Sequence, residues 1–222
     1  MADWFVTARR HPSAVLLAVQ LIGVLAYPFM RDSASGRTLL SLFSMTVLLL
    51  AVWAVRSTPA LTWIAILIGV PTAAFTILEG FYVDSASVVL TSSLLHSVFY
   101  FYTANGLMRY MFSDRDVTLD ELYATGAAFT VVAWAFAYLF MAVQIVWPGS
   151  FIAALHSESP RTWFELLFLS FTTLTSTGLS DIQAVRPHAR SVVMIEQVAG
   201  LMYVALVVAR LVGLTLAHAR GE

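Results

Sequence analysis

Seven hydroxyl-bearing residues, Ser170, Thr172, Thr173, Thr175, Ser176, Thr177 and Ser180, fall within eleven positions around Gly178, and Asp181 closes the run. An apolar stretch with one acid, Glu165, leads into them from Trp163 to Leu174, and Ser159-Pro160 ahead of it reads as the N-cap and first position of a helix. A helix of about 14 residues rises about 21 Å, short of the hydrocarbon core of about 30 Å, so it can enter a membrane and stop. Irregular backbone beyond it, at membrane depth, must face protein or water, because lipid offers bare carbonyls no partner. A water-filled pore meets that demand, and the negative end of the helix dipole, aimed at the pore axis, favours a cation over an anion. The competing reading makes 162–180 a plain seventh span and puts the C-terminus outside.

The other candidates for chemistry are ionisable groups inside apolar runs, which in a membrane mark function by default. Glu196 lies one helical turn before Gly200, near the depth of the hydroxyl run, and is expected to accept hydrogen bonds from hydroxyls of the short helix. Direct ion contact is the alternative. Arg210 is expected to snorkel to the interface, with a gate role as the alternative. His96 is expected to hydrogen-bond inside a helix bundle, with pH sensing as the alternative. The cluster Phe99-Tyr100-Phe101-Tyr102 reads as an interfacial belt. An intramembrane enzyme built on His96, Glu79 or Glu196 would need a nucleophile paired with a base, or His-Glu-x-x-His for zinc, and neither pattern is present. No enzyme activity and no cofactor are expected.

The elements that must position these residues are membrane spans. Of 222 residues, 59% are hydrophobic and 11% charged, against about 25% charged in soluble domains. All twelve basic residues are arginine and the net charge is −1, which gives no footprint for nucleic acid. The absence of cysteine excludes disulfides and thiolate chemistry.

Uncharged runs long enough to span lie between His11 and Arg31, Arg37 and Arg56, Arg56 and Glu79, and Asp84 and Arg109. A fifth runs from Glu121 to Trp147-Pro148, and a sixth from Ser191 to Arg210. Arg9-Arg10 precede the first run, which is too long for a secretory h-region and is read as a retained span. With both termini cytoplasmic, seven arginines lie inside and five outside, a weak positive-inside bias. Thr118-Leu119-Asp120-Glu121 fits a capping box that starts a helix at about Leu119, and Ser113-Asp114-Arg115-Asp116 reads as a polar elbow before it. The fold class is thus all-α, an integral membrane protein of six transmembrane helices with a re-entrant helix between spans five and six. Residues 1–113 form a four-span bundle and 114–222 a second domain. Span four lacks arginines at every third position, so it is not a voltage sensor.

The peptide Thr173-Leu174-Thr175-Ser176-Thr177-Gly178-Leu179-Ser180-Asp181-Ile182 resembles the pore signature of the potassium-channel superfamily, TLTTVGYGDI. Trp163-Phe164-Glu165-Leu166-Leu167-Phe168 before it is similar to that family's aromatic pore helix. Arg190 follows Asp181 at the usual interval, Gly200 stands where the family often places a hinge, and Val208-Ala209-Arg210-Leu211-Val212-Gly213 looks like a bacterial inner helix. The likeness covers 162–214, roughly a quarter of the chain.

The resemblance implies a multi-pass protein of the bacterial inner membrane, a homotetramer in lipid with one pore loop per chain. It makes 175–181 the filter, from Thr175 to Asp181, with potassium held by oxygens of Ser176, Thr177, Gly178 and Leu179. Phe168, Thr172, Glu196 and Arg190 would support the filter. Gly200 would be the hinge, and Leu201, Val204, Val208 and Val212 would face the pore as an apolar gate. Monovalent cations would pass downhill.

The chain departs from the signature at Leu179, where the family has tyrosine, and at Ser180, where it has glycine. A left-handed Ser180 would cost roughly 1–2 kcal/mol in each subunit. Phe168-Leu169 stand where relatives often have indole donors. These departures imply, as the alternative, a non-selective or non-conducting filter. A sensory or structural membrane subunit is the rival from another class.

Overall fold

The computed structural model describes residues 11–30, 34–54, 59–82, 85–112, 118–154 and 159–221. It is helical, with α1 Pro12–Met30, α2 Ala34–Ala54, α3 Pro59–Phe81, α4 Ala86–Met111 and α5 Leu119–Val146. After these come β1 Phe151–Ala153, α6 Trp163–Leu174, β2 Ile182–Ala184 and α7 Pro187–Gly221. Among the described residues, four helical segments are long and apolar enough to cross a membrane: Pro12–Phe29, Trp63–Phe81, Leu119–Val146 and Pro187–Arg210.

The second and fourth expected spans are present as α2 and α4 but do not join that set. Within α2 the apolar stretch among the described side chains is Phe43–Trp53. Helix α4 has 26 residues, but Ser92, Ser93, His96, Ser97 and Thr103 are buried along it. A helix enclosed by other helices can carry such groups if they find partners inside. They do: His96 Nδ1 donates to the Ser92 carbonyl (2.9 Å), its Nε2 lies 3.2 Å from Thr76 Oγ1, and the Ser92 hydroxyl donates to Glu79 (2.6 Å). His96 therefore takes the expected place inside the bundle. Phe99 and Tyr100 are fully buried rather than forming an interfacial belt, because α4 packs between α3 and α5: Tyr100 meets Trp134 of α5 and Phe99 lies beside Gly69 of α3.

Helix α5 is the axis of the fold, with α1, α4, α6 and α7 all packed on it. Its sequence explains this. Ala124, Ala127, Ala128, Ala133, Ala135, Ala137 and Ala142 are all buried, and small side chains let several backbones approach one helix closely. Trp134 and Phe140 fill the gaps between them. Helix α7 is the opposite case, since Met194, Ile195, Val198, Leu201, Met202, Val204, Leu206, Val208 and Val212 stand exposed.

Where α1 and α5 begin, charges meet, Arg210 joining them from α7 eleven residues before that helix ends. Thr118 caps α5 by accepting from Glu121 N (3.2 Å), as expected. The Glu121 carboxylate does not turn back to complete a capping box; it pairs with Arg210 at 3.1 Å. Arg210, expected to snorkel, is held in this pair: its side chain is 13% exposed, and its guanidinium lies 5.2 Å from the Phe112 ring centroid. The neighbouring Asp120 accepts from Ser13 N (3.2 Å), Ser13 Oγ (3.0 Å) and Tyr110 OH (3.2 Å), which fastens α1 and α4 to the start of α5. The elbow expected at 113–116 lies outside the described residues.

Candidate functional site

Helix α6 has 12 residues, which rise about 18 Å. It stops at Leu174, and 175–181 are not helical, so 162–180 is not a single span. Its start is three residues later than Ser159-Pro160 suggests: the N-cap is Thr162, and a full capping box forms with Glu165. Thr162 N donates to Glu165 Oε2 (2.6 Å), and Glu165 N donates back to Thr162 Oγ1 (3.3 Å). The proline therefore precedes the cap instead of opening the helix.

Gln144, near the end of α5, holds this entry. Its Oε1 accepts from Arg161 N (2.8 Å) and its Nε2 donates to Arg161 O (2.7 Å), so one buried side chain satisfies both polar groups of that residue. A glutamine two residues from a helix end carries no sequence signal for such a task. Gln144→Ala leaves a buried N–H and C=O unpaired, at about 1–3 kcal/mol. The thermal midpoint in detergent is expected to fall by several degrees, and an unchanged midpoint would remove Gln144 from the site. The adjoining Trp163 and Phe164 sit in an aromatic nest: Phe164 stacks on Tyr27 at 4.3 Å, and Trp163 meets Trp134 at 5.2 Å edge-on.

At its other end α6 closes in a Schellman motif. Ser176 N donates to Thr173 O and Thr177 N to Thr172 O, both at 3.0 Å, and Gly178 N also reaches Thr172 O at 3.1 Å. That motif needs a left-handed residue just past the cap, normally glycine. Here it is Ser176, with φ 58°. The left-handed residues of the loop are thus Ser176 and Gly178, φ 65°, and not Ser180. The strain expected at Ser180 falls on Ser176 because the helix terminator dictates it. Ser180 instead accepts from Ile182 N with its hydroxyl (3.0 Å). Residues 175–179 are exposed, Leu179 by 80%.

Two short strands, unforeseen in the sequence, close the excursion. β1 and β2 pair antiparallel with Phe151 opposite Ala184, Ile152 opposite Gln183 and Ala153 opposite Ile182. Arg190 Nε donates to the Ala184 carbonyl (3.1 Å), so it braces β2. Phe151, Ala153 and Ile182 pack with Phe140, Leu166, Leu169 and Ala189 under the loop.

The last helix touches α6 at two points. Glu196 is fully buried and hydrogen-bonds Ser170 through Oε1, while the Ser170 hydroxyl also lies 2.8 Å from Ala133 O of α5. The acceptor role expected for Glu196 is therefore present. One turn on, Gly200 lies against the end of α6, where a Cβ would sit 2.0 Å from Leu174 O. Its missing side chain serves close packing, and α7 runs helical through it. Thr172 is buried and donates to Leu169 O (2.9 Å). Phe168 is half exposed and points away from these contacts, and Leu201, Val204, Val208 and Val212 lie on the exposed face of α7.

The short helix α6 and the exposed, oxygen-rich loop that follows it thus lie between the two long apolar helices α5 and α7. Residues 126–216, about two fifths of the chain, match the family described as Ion channel, which supports an ion channel and agrees with the apolar helices of a multi-pass membrane protein. None of the curated proteins and none of the solved structures compared with the chain matches it.

Proposed function

We propose that the chain is one subunit of a homotetrameric cation channel of a bacterial inner membrane that passes potassium passively through 175–181. The observation that carries this reading is the end of α6: a short helix whose C-terminus delivers an exposed loop of carbonyls and hydroxyls, inside the region that matches ion channels. The helix dipole and the oxygens of Ser176, Thr177, Gly178 and Leu179 favour a dehydrated cation over an anion. Four loops are needed to surround one ion, and the exposed face of α7 supplies apolar surface for lipid and neighbouring subunits.

Helices α2 and α4, with 21 and 26 residues, reach about 31 and 39 Å. Those lengths support six spans; six spans put both termini on one side, which this reading takes as cytoplasmic, with a bundle at 1–113 and a pore domain at 114–222. No catalytic step, resident cofactor or nucleic acid belongs to this reading.

Purified chain in liposomes tests it. The expected result is a tetramer of about 98 kDa (4 × 24.4 kDa), with potassium flux and a reversal potential that follows the potassium gradient. A stable monomer, or vesicles that stay tight to every monovalent cation, would sink the proposal. A non-selective pore is the second reading, favoured by Leu179, whose side chain is exposed where a brace for the filter would have to pack. A reversal potential indifferent to exchanging potassium for sodium would establish it.

A further inference from the structure

We propose that the Arg210–Glu121 ion pair is a latch that fixes the pore-lining helix, eleven residues before α7 ends, to the outer helix, and that Asp120 extends the latch to α1 and α4. The inference rests on the channel reading for the meaning of α7, but its geometry is independent of that reading. The pair joins helices 89 residues apart in sequence at 3.1 Å, with side chains 13% and 5% exposed. Salt and water screen such a pair weakly, and removing one partner strands a buried charge. Two turns earlier on α7, Tyr203 OH donates to Thr125 O of α5 at 2.5 Å, so the attachment has two points on the same pair of helices.

Asp120 immediately precedes Glu121 and receives both the amide and the hydroxyl of Ser13, together with the hydroxyl of Tyr110. The first turn of α5 therefore holds α1 and α4 with one residue and α7 with the next. Movement of this part of α7, where Val204, Val208 and Val212 stand exposed, must either drag that turn along or break the pair. This gives the N-terminal bundle a mechanical route to the pore without gating charges.

The test is a double-mutant cycle on the full chain with two readouts, liposome flux and backbone hydrogen exchange. Glu121→Gln and Arg210→Gln are each expected to change flux at least about threefold and to speed exchange at 203–212 by about tenfold. The double variant, which strands no charge, is expected to deviate less than the two singles summed. Asp120→Asn should shift flux in the same direction as Glu121→Gln. Additive singles, exchange at 203–212 equal to the parent's, or parent-like flux in Asp120→Asn with α1 loosened would each overturn the latch. If the single variants do not assemble, exchange in the double variant decides by the same criterion, and Tyr203→Phe decides if that one fails as well. A parent chain without flux would refute the channel reading, while exchange still judges the latch.

Discussion

Gly200→Ala is expected to lower the stability of the protein and to reduce ion flux at least tenfold, the reverse of what helix propensity dictates. Alanine in a helix interior is ordinarily favoured over glycine by about 1 kcal/mol. Here the new Cβ would meet Leu174 O at 2.0 Å, its carbonyl carbon at 2.8 Å and its Cα at 3.0 Å. Backbone cannot rotate aside as a side chain can, so α7 must move away from α6. Overpacking of this kind costs typically about 1–3 kcal/mol, and the shift would also pull Glu196 off Ser170. Gly80→Ala is the control, because nothing lies within 4 Å of a Cβ there. It should be neutral or slightly stabilising. Thermal melts and flux measured side by side decide, and a Gly200→Ala protein as stable and active as the parent would refute the close contact.

The second large effect is expected at Gly178. A methyl group there meets nothing within 4 Å in the chain, so a clash within the subunit is not the reason. The reason is φ 65°: an alanine held left-handed costs roughly 1–2 kcal/mol, or about 4–8 kcal/mol over four subunits. Gly178→Ala should therefore cut potassium flux by tenfold or more and lower the temperature at which the tetramer dissociates. Ser176→Gly, two residues away, should act in the opposite direction and raise that temperature, because it relieves the left-handed serine of the Schellman motif. Ser180→Gly should relieve nothing, since Ser180 is not left-handed. Equal effects of glycine at 176 and 180 would refute this assignment of strain.

What the sequence made legible was whatever rests on composition, on helix boundaries and, at Glu196, on an acid in an apolar run that must find a polar partner. The apolar runs became helices, α6 fell at Trp163–Leu174, α5 ended at Val146 before Trp147-Pro148, and Glu196 met a hydroxyl of α6. What escaped depends on chain partners far apart in sequence. Strands of three residues are too short to show alternation, so β1 and β2 left no trace. Glu121 satisfies the capping-box pattern equally well whether it turns back to Thr118 or reaches Arg210, and a buried arginine 89 residues away decided the matter. Two threonine caps were available as signals. Only the one at Thr162 closes its box, with Glu165 Oε2 accepting from Thr162 N. The polar face of α4 looked like ordinary span chemistry until its neighbours defined what it buries.

The exposed apolar face of α7 has a consequence for how subunits find one another. In water such a face would drive association, but lipid tails are as apolar as leucine and give it no such push. A lone subunit inserted in a bilayer therefore keeps that face at little cost. Its loop at 175–179 is different, since unpaired carbonyls against hydrocarbon are costly. On the channel reading, assembly is drawn by thirst: subunits gather because only a shared, wet centre gives their loops water, and the greasy helices follow.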